Sequence, residues 1–160
     1  MFKLKHIINV KIAISALIMF FMVNCAKDQN TFLPYVRVYV PIPLANYNHL
    51  KIPGNSVLFL NAGVKGVIVV CVNPELNLYD AYDACCPYEK DYSGVVELVP
   101  VPGFQSPPGT IYSSTYTGVC NKCKSEFSLM QNAQPIKGPA VRYLQRYNVI
   151  TQFEYLTVTN

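Results

Sequence analysis

An all-β domain, built as a small sandwich or barrel, is the fold that this sequence predicts, and three observations carry the prediction. Beyond residue 35, short runs of β-branched, aromatic and aliphatic residues recur, parted by turns that contain proline or glycine. No segment shows the i, i+3, i+4 apolar spacing of an amphipathic helix. Charged residues make up only 14% of the chain, against 12 tyrosines and 8 phenylalanines, so a packed core is affordable and a disordered polypeptide is excluded. The 160 residues suit one such domain plus a targeting segment.

The targeting segment comes first. Met1–Lys11 is basic, and Ile12–Val23 is an uninterrupted apolar run of 12 residues. A bilayer span takes about 20, so the run fits the hydrophobic region of a secretory signal instead. It ends at Asn24-Cys25 and passes into the polar stretch Ala26–Asn30. An apolar run closing on a cysteine, then a polar tether, resembles a bacterial lipoprotein signal with Cys25 as the lipidated residue. Asn24 stands where such a signal normally has a small residue. Cleavage without lipidation and a retained short anchor are the alternatives, and all three export the body of the protein. The expected division is a signal over 1–24, the lipidated cysteine and linker over 25–34, and the β-domain over 35–160.

Charge excludes one class of partner. Three of the 13 basic residues (Lys3, Lys5, Lys11) precede Cys25 and no acid does, which leaves ten basic against nine acidic groups in the remainder. No basic stripe survives, so nucleic acid is not an expected partner.

In chain order, Val36, Val38 and Val40 alternate with Arg37 and Tyr39, the period-2 pattern of a half-buried strand, and Pro41-Ile42-Pro43 reads as its terminating turn. Asn46–Asn55 reads as loop. Ser56–Leu60 and Gly66–Val72 read as two strands around a glycine turn, the second apolar throughout, as in a strand covered on both faces. Leu78–Tyr82 is a further strand, leading into Cys85-Cys86-Pro87-Tyr88. Val95–Val101 follows, and then Thr110–Val119, rich in β-branched residues, which delivers Cys120-Asn121-Lys122-Cys123. Pro135 and Gly138-Pro139 mark a loop, and Leu144–Ile150 and Phe153–Val158 are the last strands expected.

Besides Cys25 there are five cysteines. Cys71 sits inside the apolar run and reads as a small buried hydrophobe. Cys85, Cys86, Cys120 and Cys123 fall in two turn-like loops, a pattern for a metal site or a disulfide. His49 is the only histidine after Cys25; it lies far from both loops in sequence and reads as an ordinary surface residue. Asp80, Asp83, Glu89 and Asp91 surround the first loop and read as a solvated acidic face. With one histidine, no Ser–His–Asp arrangement can assemble, and there is no phosphate-binding glycine loop.

Three segments carry a family resemblance. Leu78–Glu89, with Cys86-Pro87-Tyr88, is similar to the approach and first cluster loop of a Rieske-type 2Fe–2S domain, which in that family ends in Cys-Pro-His. Cys120-Asn121-Lys122-Cys123-Lys124-Ser125-Glu126-Phe127 resembles its second loop, Cys-x-x-His followed by small and polar residues and a Phe. Pro135–Val149, with Gly138-Pro139-Ala140, Arg142, Leu144 and Arg146-Tyr147-Asn148-Val149, resembles the segment that closes the domain.

The resemblance implies a Rieske-like fold with two cysteine-bearing loops at one end. It matches Cys86 and Cys120 to the two cluster cysteines and puts Tyr88 and Cys123 where the histidines belong. A Rieske centre holds one iron by two cysteines and the other by two histidines, so a standard centre is not expected. A variant 2Fe–2S cluster would use Cys86, Cys120 and Cys123, with Cys85 or Tyr88 as fourth ligand, and would make the protein a single-electron carrier. Cys85 neighbours Cys86, so in extended backbone its side chain points the opposite way. A disulfide from Cys86 to Cys120 or Cys123, a zinc site on the three, or no metal at all are the other outcomes. Each describes an electron carrier or binding module and not a catalyst. The expected setting is an exported lipoprotein held to a membrane through Cys25, facing a redox or other protein partner.

Overall fold

The computed structural model describes residues 33–160. The expected signal, Cys25 and most of the linker lie outside the described residues. Within them, eleven strands are connected by turns, and the helical content is one 3-10 turn, Asn48–Lys51. The strands are β1 (Tyr39–Pro43), β2 (Ser56–Phe59), β3 (Val67–Asn73), β4 (Leu78–Asp83), β5 (Val96–Leu98), β6 (Thr110–Ser113), β7 (Thr117–Cys120), β8 (Glu126–Ser128), β9 (Gln134–Lys137), β10 (Arg146–Gln152) and β11 (Tyr155–Thr159). They form a seven-stranded sheet, ordered β1-β11-β10-β4-β3-β2-β6, and a four-stranded sheet, ordered β5-β7-β8-β9. Every pairing is antiparallel. The all-β class read from the sequence is the class observed.

The centre of the larger sheet is a wall between two cores, and the period-2 alternation of its strands builds both. Val57 and Phe59 of β2, Val67, Val69 and Cys71 of β3, and Tyr79 and Ala81 of β4 face one core, closed by Ile42, Leu50, Leu156 and Val158. Leu58, Ile68, Val70, Tyr82, Ala84 and Cys86 take the alternate positions. They face a second core shared with Val96, Leu98, Cys120 and Phe127 of the smaller sheet and with Leu129 just beyond it. Val67 to Cys71 are all fully buried, as a strand with apolar residues on both faces requires, and each aliphatic side chain there contributes about 1.5–3 kcal/mol by leaving water. Cys71 lies in the first core, where burial pushes its thiol up to about 11.

Several boundaries differ from the sequence reading. Pro41 and Pro43 do not turn the chain but pair with Thr157 and Tyr155. β1 is the outer strand of its sheet, where a residue without an N–H is tolerated. Pro135 likewise sits in β9, at the edge of the small sheet. Thr110–Val119 is not one strand but two in different sheets. The change of sheet occurs where the Thr115 N–H donates to Ser113 Oγ (3.2 Å), a local side-chain bond that competes with the ladder. His49 is not an ordinary surface residue. It is half-buried, stacks on Tyr112 (4.9 Å between centroids, 5° between planes) and bonds the Ser113 carbonyl through Nε2 at 2.8 Å.

The acidic group around the first loop is not a uniform solvated face either. Asp83 is fully buried. One carboxylate oxygen accepts the Val64 N–H (2.6 Å) and the Tyr147 O–H (2.7 Å), the other the N–H groups of Cys85 (2.8 Å) and Lys65 (3.2 Å). Four donors from three parts of the chain thus converge on one charge. That clamp sets the backbone direction just before Cys86. Asp80 is also engaged, with Arg146 and the Tyr82 hydroxyl.

Candidate metal centre

Cys86 lies just beyond β4 and Cys120 ends β7, and backbone bonds bring their loops together. The Cys86 N–H donates to the Gly94 carbonyl (3.0 Å), and Cys120 pairs with Val96 across the β5–β7 ladder. Asn121 stitches the loops, donating its N–H to the Val95 carbonyl (2.9 Å) and accepting the Val95 N–H at Oδ1 (3.0 Å). The Lys122 ammonium reaches Ser93 Oγ across the same gap, at 2.6 Å. In the second loop Lys124 takes a left-handed conformation (φ 58°), and its N–H returns to the Cys120 carbonyl (3.2 Å). That tight turn swings Cys123 back beside Cys120.

The result is a group of three sulfurs. Those of Cys86, Cys120 and Cys123 lie within 4.8 Å of one another, with Cys86 and Cys123 3.6 Å apart. Cys86 and Cys120 are fully buried at the rim of the second core, while Cys123 is partly exposed. The five described cysteines are free thiols.

Their surroundings differ. Burial is the main force on Cys86 and raises its thiol well above the ordinary value, against the Tyr88 backbone N–H, which favours the thiolate. At Cys123 burial also opposes ionisation. There the Ser125 hydroxyl and N–H, with the thiols of Cys120 and Cys86, outweigh it and hold the group below the ordinary thiol value. Ser125 is itself fixed by the segment that closes the domain, since the Ala140 N–H donates to its Oγ at 3.0 Å.

The other two candidates stand apart. Cys85 is fully buried, but it takes the alternate strand position from Cys86 and is outside the sulfur group. Burial, and then the Asp83 carboxylate, push its thiol up to about 12. Tyr88 has its side chain half exposed, and what it offers Cys86 is a backbone N–H.

Three supporting residues are not singled out by the sequence reading: Ser125, Gly138 and Gly94. Only Gly138 carries a sequence signal, as part of Gly-Pro-Ala. It has φ +91°, and a Cβ there would stand 2.6 Å from Ser125 Cα and 2.7 Å from Ser125 Oγ. Gly138→Ala combines left-handed strain with a backbone clash. It is expected to cost about 2–4 kcal/mol and to move Ser125 off Cys123. Denaturant unfolding checks the first effect, and the pH dependence of Cys123 alkylation the second.

No family model matches the chain, and no curated protein matches it. Among solved structures it is similar to the ferredoxin of carbazole 1,9a-dioxygenase from Nocardioides aromaticivorans IC177. Identity is 18% and the TM-score 0.42, over 77% of this chain and 94% of that one. So distant a likeness decides nothing about chemistry.

The donor set does bear on it. A centre that needs two histidines does not fit here, because the grouped donors are three thiols and His49 is committed to Ser113 and Tyr112. Three thiols drawn together in this way are instead a set that could hold a metal ion.

Proposed function

We propose that the protein is an exported, lipid-anchored binding module whose β-domain carries a thiolate metal site at the tip of two loops. The site replaces the electron-transfer centre found there in the family the sequence resembles. One observation supports this above the others: three sulfurs within 4.8 Å, two of them at 3.6 Å. Zinc binds thiolates at about 2.3 Å in a tetrahedron, whose corners lie about 3.8 Å apart. Three sulfurs so placed suit one borderline-soft divalent ion. A two-iron cluster needs a fourth protein ligand, and neither Cys85 nor Tyr88 is in the group. The export and anchoring rest on the pattern of residues 1–30.

A second reading, a metal-free module with a disulfide, is favoured by the same 3.6 Å between Cys86 and Cys123. A bond of about 2.05 Å needs a modest further approach. Closing that loop of 37 residues would stabilise the fold by ~4 kcal/mol.

Metal, acid-labile sulfide and intact mass, measured on protein made with its own export signal, separate the readings. The expected result is about one divalent ion per chain, as a mononuclear site requires, with no labile sulfide. Iron with equivalent sulfide, and visible absorbance that bleaches on reduction, would restore the electron carrier. Metal-free protein with a mass deficit of two protons would establish the disulfide.

A further inference from the structure

The small sheet covers only part of one face of the larger sheet. Leu58, Ile68 and Tyr82, in register on β2, β3 and β4, lie beneath it. Arg146 pairs with Tyr82, so the same face runs on to β10 and from there across β11 to β1. Here it is bare. Its nine positions hold Tyr39, Pro41, Pro43, Ile150 and Tyr155, with two threonines, an asparagine and a glutamine between them. Tyr39 is 66% exposed, Tyr155 57% and Ile150 48%. None of the nine carries a charge. Arg146, which begins β10, and Glu154, in the turn after it, are paired with Asp80 and Lys51. A sheet face that meets only water is ordinarily polar, and an apolar patch within a polar rim marks a surface that meets something else.

A second observation sits at the edge of this face. Phe153, in the turn between β10 and β11, is 99% exposed and has φ 52°. The left-handed region suits glycine or asparagine and penalises a bulky side chain. The ring receives no packing in return, so the fold does not account for a phenylalanine here. The chain that leads to the face supplies the third observation. Eight residues (33 − 25) separate Cys25 from the buried Leu33. An anchor on Cys25 keeps Leu33 within about 26–29 Å of the headgroups. So short a tether presents a weakly attracted face at high effective concentration.

We infer that this face of β1, β11 and β10, with Phe153 at its tip, is the side on which the domain lies against a phospholipid bilayer. This rests on the anchoring proposed above. Tyr39 and Tyr155 suit the interface because a tyrosine ring enters it while the hydroxyl stays in water. Phe153, Pro41 and Ile150 supply the wholly apolar contact. β10 begins beside Tyr82, at the approach to the first sulfur loop, and ends just before Phe153. The apolar tip is therefore at the opposite end of that strand from the three sulfurs, which are left open to a soluble ion or partner.

The chain has no tryptophan, so a single one serves as reporter. Protein made with its own export signal is reconstituted into phosphatidylcholine–phosphatidylglycerol vesicles, with and without bromine on the acyl chains, as Phe153→Trp, Tyr155→Trp and Tyr88→Trp. In the first two, emission should shift to shorter wavelength and lose about half its intensity to brominated lipid, as for a side chain seated at the headgroup–acyl boundary. Tyr88→Trp should do neither. Adding Ile150→Glu to Phe153→Trp should abolish most of the quenching while the protein still floats with the vesicles and melts as before. Flotation and intact mass read the anchor separately. Protein that floats and carries lipid, yet is unquenched at 153 and 155 or is quenched equally at 88, keeps its anchor and overturns the assignment of the face. A concentration-dependent dimer in detergent, with no quenching in vesicles, would give the face to a second copy instead. Protein that neither floats nor carries lipid overturns the anchoring, and the assignment falls with it.

Discussion

Chelating the ion from the reduced protein is expected to lower its unfolding free energy by about 3–4 kcal/mol, for free metal at a hundred to a thousand times the dissociation constant. The size follows from where the ligands come from. Cys86 belongs to the loop after β4 and Cys120 and Cys123 to the loop after β7, so the complete set exists only when the two sheets are packed. The unfolded chain keeps the closely spaced pair Cys120 and Cys123, and its residual affinity trims the effect. Denaturant curves with and without chelator measure the difference. In the Cys86→Ser, Cys120→Ser, Cys123→Ser triple variant the two curves should coincide. If wild type shows no dependence on metal, the three sulfurs do not hold an ion.

Asp83→Ala is expected to cost about 3–5 kcal/mol, lowering the melting temperature by about 10–20 °C for a domain of this size. The substitution removes one acceptor and strands four donors: the N–H groups of Val64, Lys65 and Cys85 and the hydroxyl of Tyr147. Tyr147 is buried, and so is Cys85, where water cannot substitute. Asp83→Asn should recover little, because each carboxylate oxygen accepts two donors and an amide nitrogen can accept none. A melting temperature within a few degrees of wild type would mean that the clamp is dispensable. Because the Cys85 N–H is one of the four, the variant should also weaken metal uptake.

How much of this could be read from the sequence varies with the physics involved. β3 was legible because covering a strand on both faces leaves a continuous apolar run, Val67 to Val72. The separation of Cys85 from Cys86 follows from the period of two. The edge strands were not legible in the same way. Pro41, Pro43 and Pro135 signal turns, and only the tertiary position of β1 and β9 makes them acceptable in a ladder. The split of Thr110–Val119 depends on a side-chain bond at Ser113 that leaves no mark in composition. The acidic residues were the least legible. Asp83 and Asp91 both flank the first loop, yet one is a buried anchor and the other exposed beside Ser93.

The prolines of the outer strands have a consequence for life in a crowd. An open sheet edge invites a strand from another molecule, and the proposed lipid anchor would bring copies together at high local concentration. β1 carries Pro41 and Pro43 and β9 carries Pro135, none with an N–H to offer a newcomer. The remaining edges, β5 and β6, run for only three and four residues. Neighbouring copies could touch side by side yet not knit into a common fibre.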